Sequence, residues 1–246
     1  MSPAPGLTHR QQGGPPLGVL AAVSAVLFLL GLFVAAAVAG GFPPAPTASA
    51  HTIADYFRAH RTAVHIAALF QFGSAVPLAL YAASASARLR NLGIRAPGAT
   101  IGLVGGVLSA GFLALSALIS WVLSRPEVAS DPTLVRAFQD FGFITGGTGH
   151  VVFLGLLVAG IAVPALFTGI LPRPLAVVGL VFALIAELST LTVITDALNP
   201  LLPIARFPIL AWLIIAGFLL PATRPRAERT QSTADRPVMP SESRAP

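Results

Sequence analysis

The chain is a succession of long apolar runs separated by short segments that hold nearly all of its charge. A bilayer-spanning helix needs about 20 mainly apolar residues, so the charges mark the ends of six predicted spans. The first covers Leu17–Ala39, with no charge between Arg10 and Asp55. The second lies between Arg61 and Arg88, the third between Arg95 and Arg125, and the fourth between Asp140 and Arg173. The fifth runs over about 174–195 and the sixth between Arg206 and Arg224. That last interval is short, so a pre-helix of Asn199, Pro200 and Pro203 is expected at headgroup level. Between the first two spans, "FPPAPTASA" reads as a proline-rich linker and "HTIADYFRAHR" as a short surface helix. In that helix Thr52 and Asp55 fit a capping pattern and Ile53, Tyr56, Phe57 and His60 recur at helical spacing.

This pattern predicts an all-α integral membrane bundle of six transmembrane helices. Short cytoplasmic loops are enriched in basic residues. With the N-terminus inside, the inner loops and tail carry ten arginines (Arg10, Arg88, Arg90, Arg95, Arg173, Arg224, Arg226, Arg229, Arg236, Arg244), against five outside (Arg58, Arg61, Arg125, Arg136, Arg206). Both termini are therefore expected to be cytoplasmic. Residues 1–16 and 223–246 read as disordered tails flanking a transmembrane domain over 17–222, because their proline, arginine, serine and threonine cannot build a core. The first span, longer than the 7 to 15 apolar residues of a signal peptide, reads as an uncleaved anchor.

Composition agrees. Of 246 residues, 55% are hydrophobic and 10% charged, far from the roughly 25% charged residues of a soluble domain. The absence of cysteine excludes disulfides, thiolate metal sites and cysteine nucleophiles. The basic residues are all arginine and lie in loops and tail, not on a patterned face with interleaved aromatics, so no nucleic-acid partner is expected. The expected surroundings are the lipid bilayer, with a membrane-protein partner or a second copy as the candidate protein contact.

Helix association in lipid relies on small residues and interhelical hydrogen bonds. Gly102, Gly105, Gly106 and Ser109 in the third span, and "FGFITGGTGH" opening the fourth, predict close helix crossings. Pro77 and Pro164 remove the hydrogen bonds to the carbonyls of Gly73 and Gly160, predicting kinks.

Against this apolar background a few polar side chains stand out. Glu187 sits inside "FALIAELSTLTVIT", and an ionised group at the bilayer centre costs at least about 2.5 to 3.5 kcal/mol. Counting from the charged span ends, Glu187, His150 and Gln71 fall at one depth, roughly 13 to 15 Å below one boundary at helical rise. Ser116 and Thr190 lie near that level, and His65 and Asp140 nearer the surface. These residues form a candidate outward-facing pocket for a small ligand, an ion or a proton, with Glu187 as acceptor and His150 as its partner. The bland alternative makes the same groups interhelical glue in a non-catalytic accessory subunit.

No catalytic set is legible. There is no Gly-x-Ser-Gly stretch, no histidine in the last two spans to serve a serine, and no zinc-protease signature. Haem ligation by His65 and His150 is disfavoured because their depths differ by about 9 Å, so neither cofactor nor metal is expected.

The chain resembles the bacterial membrane family catalogued as domain of unknown function 4386. The resemblance rests on His65, on Gly149 and His150, on "LPRPLAVVGL" over 171–180 and on "WLIIAGF" over 212–218, with Ala216 where the family commonly has a basic residue. It covers about residues 17–222 and implies six helices in a bacterial cytoplasmic membrane, with no known activity.

Overall fold

The computed structural model describes residues 15–94 and 96–222. The tails expected over 1–16 and 223–246 lie outside the described residues, apart from 15 and 16. Six helices among those described are long and apolar enough to cross a membrane. They are α1 (Leu17–Ala39), α3 (Arg61–Asn91), α4 (Gly98–Leu123), the continuous helix Pro132–Thr168, the segment Arg173–Val193 and the segment Asp196–Leu219. Two short helices, α2 (Ala50–Ala59) and α5 (Pro126–Ala129), lie at one end of the bundle.

The continuous helix is α6 (Pro132–Ile144) joined to α7 (His150–Thr168) through a π turn at Thr145–Gly149. Its sequence, TGGTG, has three glycines, which crowd a widened turn least. Of the last two segments, α8 (Arg173–Leu188) tightens into a 3₁₀ stretch at Ser189–Val193, and α9 (Leu201–Leu219) comes after a 3₁₀ turn at Asp196–Leu198.

The spans form a closed ring. Each packs on its neighbours in chain order, α1 on α3, α3 on α4, α4 on α7, α7 on α8 and α8 on α9, and α9 returns to α1. The tightest seams are made where side chains vanish. A Cβ added to Gly160 would collide with the Gly102 amide nitrogen, and one on Gly105 would lie 2.6 Å from the Leu157 nitrogen. Gly217 would meet Gly18 at 2.7 Å, closing the ring, and Gly155 would meet the Ala186 Cβ at 2.6 Å. Gly179 lies under the Trp212 indole, whose Nε1–H donates to the Leu175 carbonyl at 2.8 Å.

Polar stitches supplement these contacts. Between α1 and α3, Ser24 Oγ donates to the Ser74 carbonyl and Ser74 Oγ to the Ser24 carbonyl, both at 2.9 Å. Tyr81 of α3 donates across the core to the Leu213 carbonyl of α9 at 3.2 Å. Cations hold helix ends, where the dipole favours them: Arg88 donates to the Leu220 carbonyl at 3.2 Å and Arg61 to that of Ser124 at 3.0 Å.

Both α3 and α7 run on through their prolines. The Gly160 carbonyl, denied its usual partner by Pro164, faces Gly98 at the start of α4. The expected cap at Thr52 is corrected: Ser49 is the N-cap of α2, accepting from the Thr52 amide at 3.2 Å. The apolar face of α2, Ile53, Ala54 and Phe57, then packs on a cluster with Val64, Ile119, Leu123 and Val135.

Candidate functional site

A cavity of about 600 Å³ opens at the α2 end of the ring, among α1, α3, α4, α6 and α9. Its walls are largely apolar, with Phe28 and Leu32 from α1, Phe143 from α6, and Leu202 and Phe207 from α9. The polar side chains reaching it are Gln71, Ser116, Ser120, Gln139, Asn199, Tyr56 and Arg206. Pockets of this size with a few placed polar groups are the usual form of small-ligand sites.

Arg206 changes the expected picture most. The sequence uses it as the boundary of the last span, but α9 begins at Leu201, so the residue falls within the helix and its side chain lines the cavity. It donates through Nη2 to the Gly146 carbonyl in the π turn, and it lies over the Phe28 ring, 5.2 Å from the centroid. Its Nε is buried with no hydrogen-bond partner. The ion pairs among the described residues join Arg58 to Asp55, Arg125 to Glu127 and Arg136 to Asp140, and none includes Arg206. The Asn199 side-chain oxygen is likewise buried and unpartnered.

The π turn and the opposite wall fit each other closely. Ser116 Oγ donates to the Gly142 carbonyl at 2.9 Å, and a Cβ on Gly146 would collide with that hydroxyl oxygen and lie 3.6 Å from Gln71 Nε2. Gln71 Nε2 donates to the Leu113 carbonyl at 3.5 Å. Glycine at 146 therefore lets α4, and α3 behind it, close on the π turn at the floor.

The mouth is bordered by the linker between α1 and α2, which contributes Pro43 and Pro46, and by Tyr56 and Phe57. Arg136 of α6 holds this linker, donating through Nη1 to the Pro46 and Ala48 carbonyls at 3.0 Å each, and through Nε to Asp140 at 2.9 Å. Burial raises the Tyr56 hydroxyl above its ordinary pKa, so it stays a neutral phenol in the mouth.

The structure brings together Gln71 and Ser116 from the residues singled out in the sequence, and separates the rest. His150 is only 2% exposed and belongs to the α4–α7 seam, its Nδ1 2.9 Å from Ser109 Oγ, which also donates to the His150 carbonyl at 2.9 Å. His65 pairs with Ser124 Oγ at 2.6 Å and lies outside the cavity lining. Glu187 and Thr190 are exposed on the outer surface of α8 and its 3₁₀ extension, and neither lines the cavity. The expected meeting of Glu187 with His150 and Gln71 is thus corrected: the three share a level by count but point in different directions. Asp140 pairs with Arg136 instead of lining the mouth.

A second groove, of about 740 Å³, lies at the opposite end between α4 and α7. It is lined by apolar side chains such as Ile101, Leu156 and Phe167 together with Thr168, whose hydroxyl is engaged by the Pro164 carbonyl at 2.7 Å. With no converging polar groups, it is a weaker site than the cavity around Arg206.

The architecture is that of a multi-pass helical membrane protein. Comparison of the chain with protein-family models, with curated proteins and with solved structures finds no match in any of the three.

Proposed function

We propose that the chain is a six-span protein of the bacterial cytoplasmic membrane that takes a small ligand into the cavity at the α2 end, and that this end faces outward. The observation that carries this reading is the convergence of Gln71, Ser116 and Arg206 on one open cavity within the membrane-spanning bundle. Outward orientation and cytoplasmic termini rest on the arginine bias of the loops. Membership of the family catalogued as domain of unknown function 4386 belongs to the same proposal and adds no activity to it.

Because the chain has no native cysteine, a single Ser120→Cys substitution reports on the cavity alone. A membrane-impermeant maleimide added to intact cells is expected to label it. Labelling only in inverted vesicles overturns the orientation, and labelling in neither preparation overturns the open cavity.

One observation favours a second reading, that of an accessory subunit held by a membrane partner. Glu187 and Thr190 lie on an exposed, otherwise apolar face of the α8 segment with Leu184, Leu188 and Leu191. A carboxyl group facing lipid is costly, and a donor on a neighbouring helix relieves it. Replacing Glu187 with leucine is then expected to release a second copy or a partner in native mass spectrometry, without loss of the folded monomer. An unchanged assembly removes this reading.

A further inference from the structure

The charge inside the cavity selects its ligand. Arginine stays protonated under all ordinary conditions and offers five N–H donors in a fixed fork. At Arg206 one donor is used on the Gly146 carbonyl, the plane rests on Phe28, and the buried Nε–H has no acceptor. No ion pair neutralises it among the described residues. A lone cation in an apolar surround is strongly destabilising unless a counter-charge arrives.

The lining supplies no such counter-charge, for it contains neither Asp nor Glu, and Arg206 is its one charged side chain among the described residues. A cation would be repelled by this site. An oxyanion would instead meet the guanidinium fork, with the Gln71 and Gln139 side-chain amides lining the same cavity, whereas the Ser116 hydroxyl proton is already given to the Gly142 carbonyl.

The rest of the wall constrains the rest of the ligand. Phe28, Leu32, Phe143, Leu202 and Phe207 offer no hydrogen bonds. The cavity also lies along the α1–α9 seam: the two helices meet backbone to backbone at Gly18 and Gly217 and again through the Phe28 and Phe207 rings, whose centroids are 6.3 Å apart, while the interval beyond them is lined by residues 31–36 of α1 and 202–203 of α9. An apolar chain can lie in that interval.

Resting on the reading of the cavity as a ligand site, we propose that its ligand is an oxyanion, a carboxylate or phosphate, carried on an apolar chain and held by Arg206.

Full-length protein, delipidated in a neutral maltoside detergent, is titrated calorimetrically with dodecanoate, with dodecanol and with inorganic phosphate. Dodecanoate is expected to bind saturably, and dodecanol and phosphate each at least about tenfold more weakly, the scale of a charge-assisted hydrogen bond. Arg206→Gln is expected to erase the preference for dodecanoate over dodecanol, with helicity by circular dichroism retained. Should that variant fail to fold, the ratio of the two ligands on the unaltered protein still decides. Equal binding of dodecanol overturns the anionic half of the proposal, and equal binding of phosphate overturns the apolar half. Ala36→Trp, which fills the cavity from α1, separates the two levels. If it abolishes binding while Arg206→Gln leaves the preference intact, the cavity stands as a ligand site and the assignment of the anion to Arg206 falls. If Ala36→Trp leaves binding unchanged, both fall.

Discussion

At the scale of single residues, the fold is held by side chains that satisfy several partners at once. Ser109 is fully buried and bonds both the ring and the carbonyl of His150, so Ser109→Ala leaves the imidazole Nδ1 short of one partner. Hydrogen bonds between membrane helices are worth about 0.6 kcal/mol on average and up to about 1.7. The expected loss is about 1 to 2 kcal/mol, read as a lower midpoint in a sodium dodecyl sulfate unfolding titration. Gly146 is more demanding: a methyl there collides with Ser116 Oγ on the cavity floor. Gly146→Ala is accordingly expected to weaken ligand binding more than it weakens the fold, as comparison of a calorimetric titration with the same unfolding assay would reveal.

Depth and direction differ in how legible they are at this scale. Rise per residue is fixed, so counting from span ends puts Gln71 and Ser116 at a level where a cavity floor lies. Direction around the helix axis is not legible for Glu187. In a soluble helix a polar stripe marks the outer face, but a membrane helix is apolar on the lipid side as well, which removes that contrast. The α8 face holding Ala176, Gly179, Ala183 and Ala186 is the buried one, and small residues, not polarity, are the signal that turns Glu187 outward. Arg206 escapes the sequence reading for a related reason: the rule that charges mark span ends fails where a charge faces a cavity.

At the scale of elements, the seams divide into those that need glycine and those that merely contain it. A side chain at Gly160 or Gly105 meets backbone atoms of the facing helix, which cannot rotate away, whereas Gly111 on the same α4 has nothing within 4 Å of its would-be Cβ. Gly160→Ala should therefore destabilise by about 1 to 3 kcal/mol, as overpacking does. Gly111→Ala should be neutral or stabilise by up to about 1 kcal/mol through helix propensity. Thermal unfolding of both variants in one detergent tests the contrast. The linker strap is similarly specific, since a single guanidinium, that of Arg136, reaches both the Pro46 and Ala48 carbonyls. Arg136→Ala is expected to speed hydrogen exchange across 43–49 while leaving α6 protected, and equal protection in both proteins would show that the linker is held by other means.

At the scale of the whole molecule, the ring closes by bringing the last span against the first at Gly18 and Gly217. Chain order therefore becomes a schedule. When spans are inserted in chain order, α3 can dock on one flank of α1 as soon as it is made, and the other flank lacks its partner until α9 follows about 160 residues later. The cavity shares that timing, because Arg206 and Phe207 are supplied by α9. A nascent bundle halted before the sixth span would have five helices and an unfinished gap, so the chain completes its cavity in the same event that closes its ring.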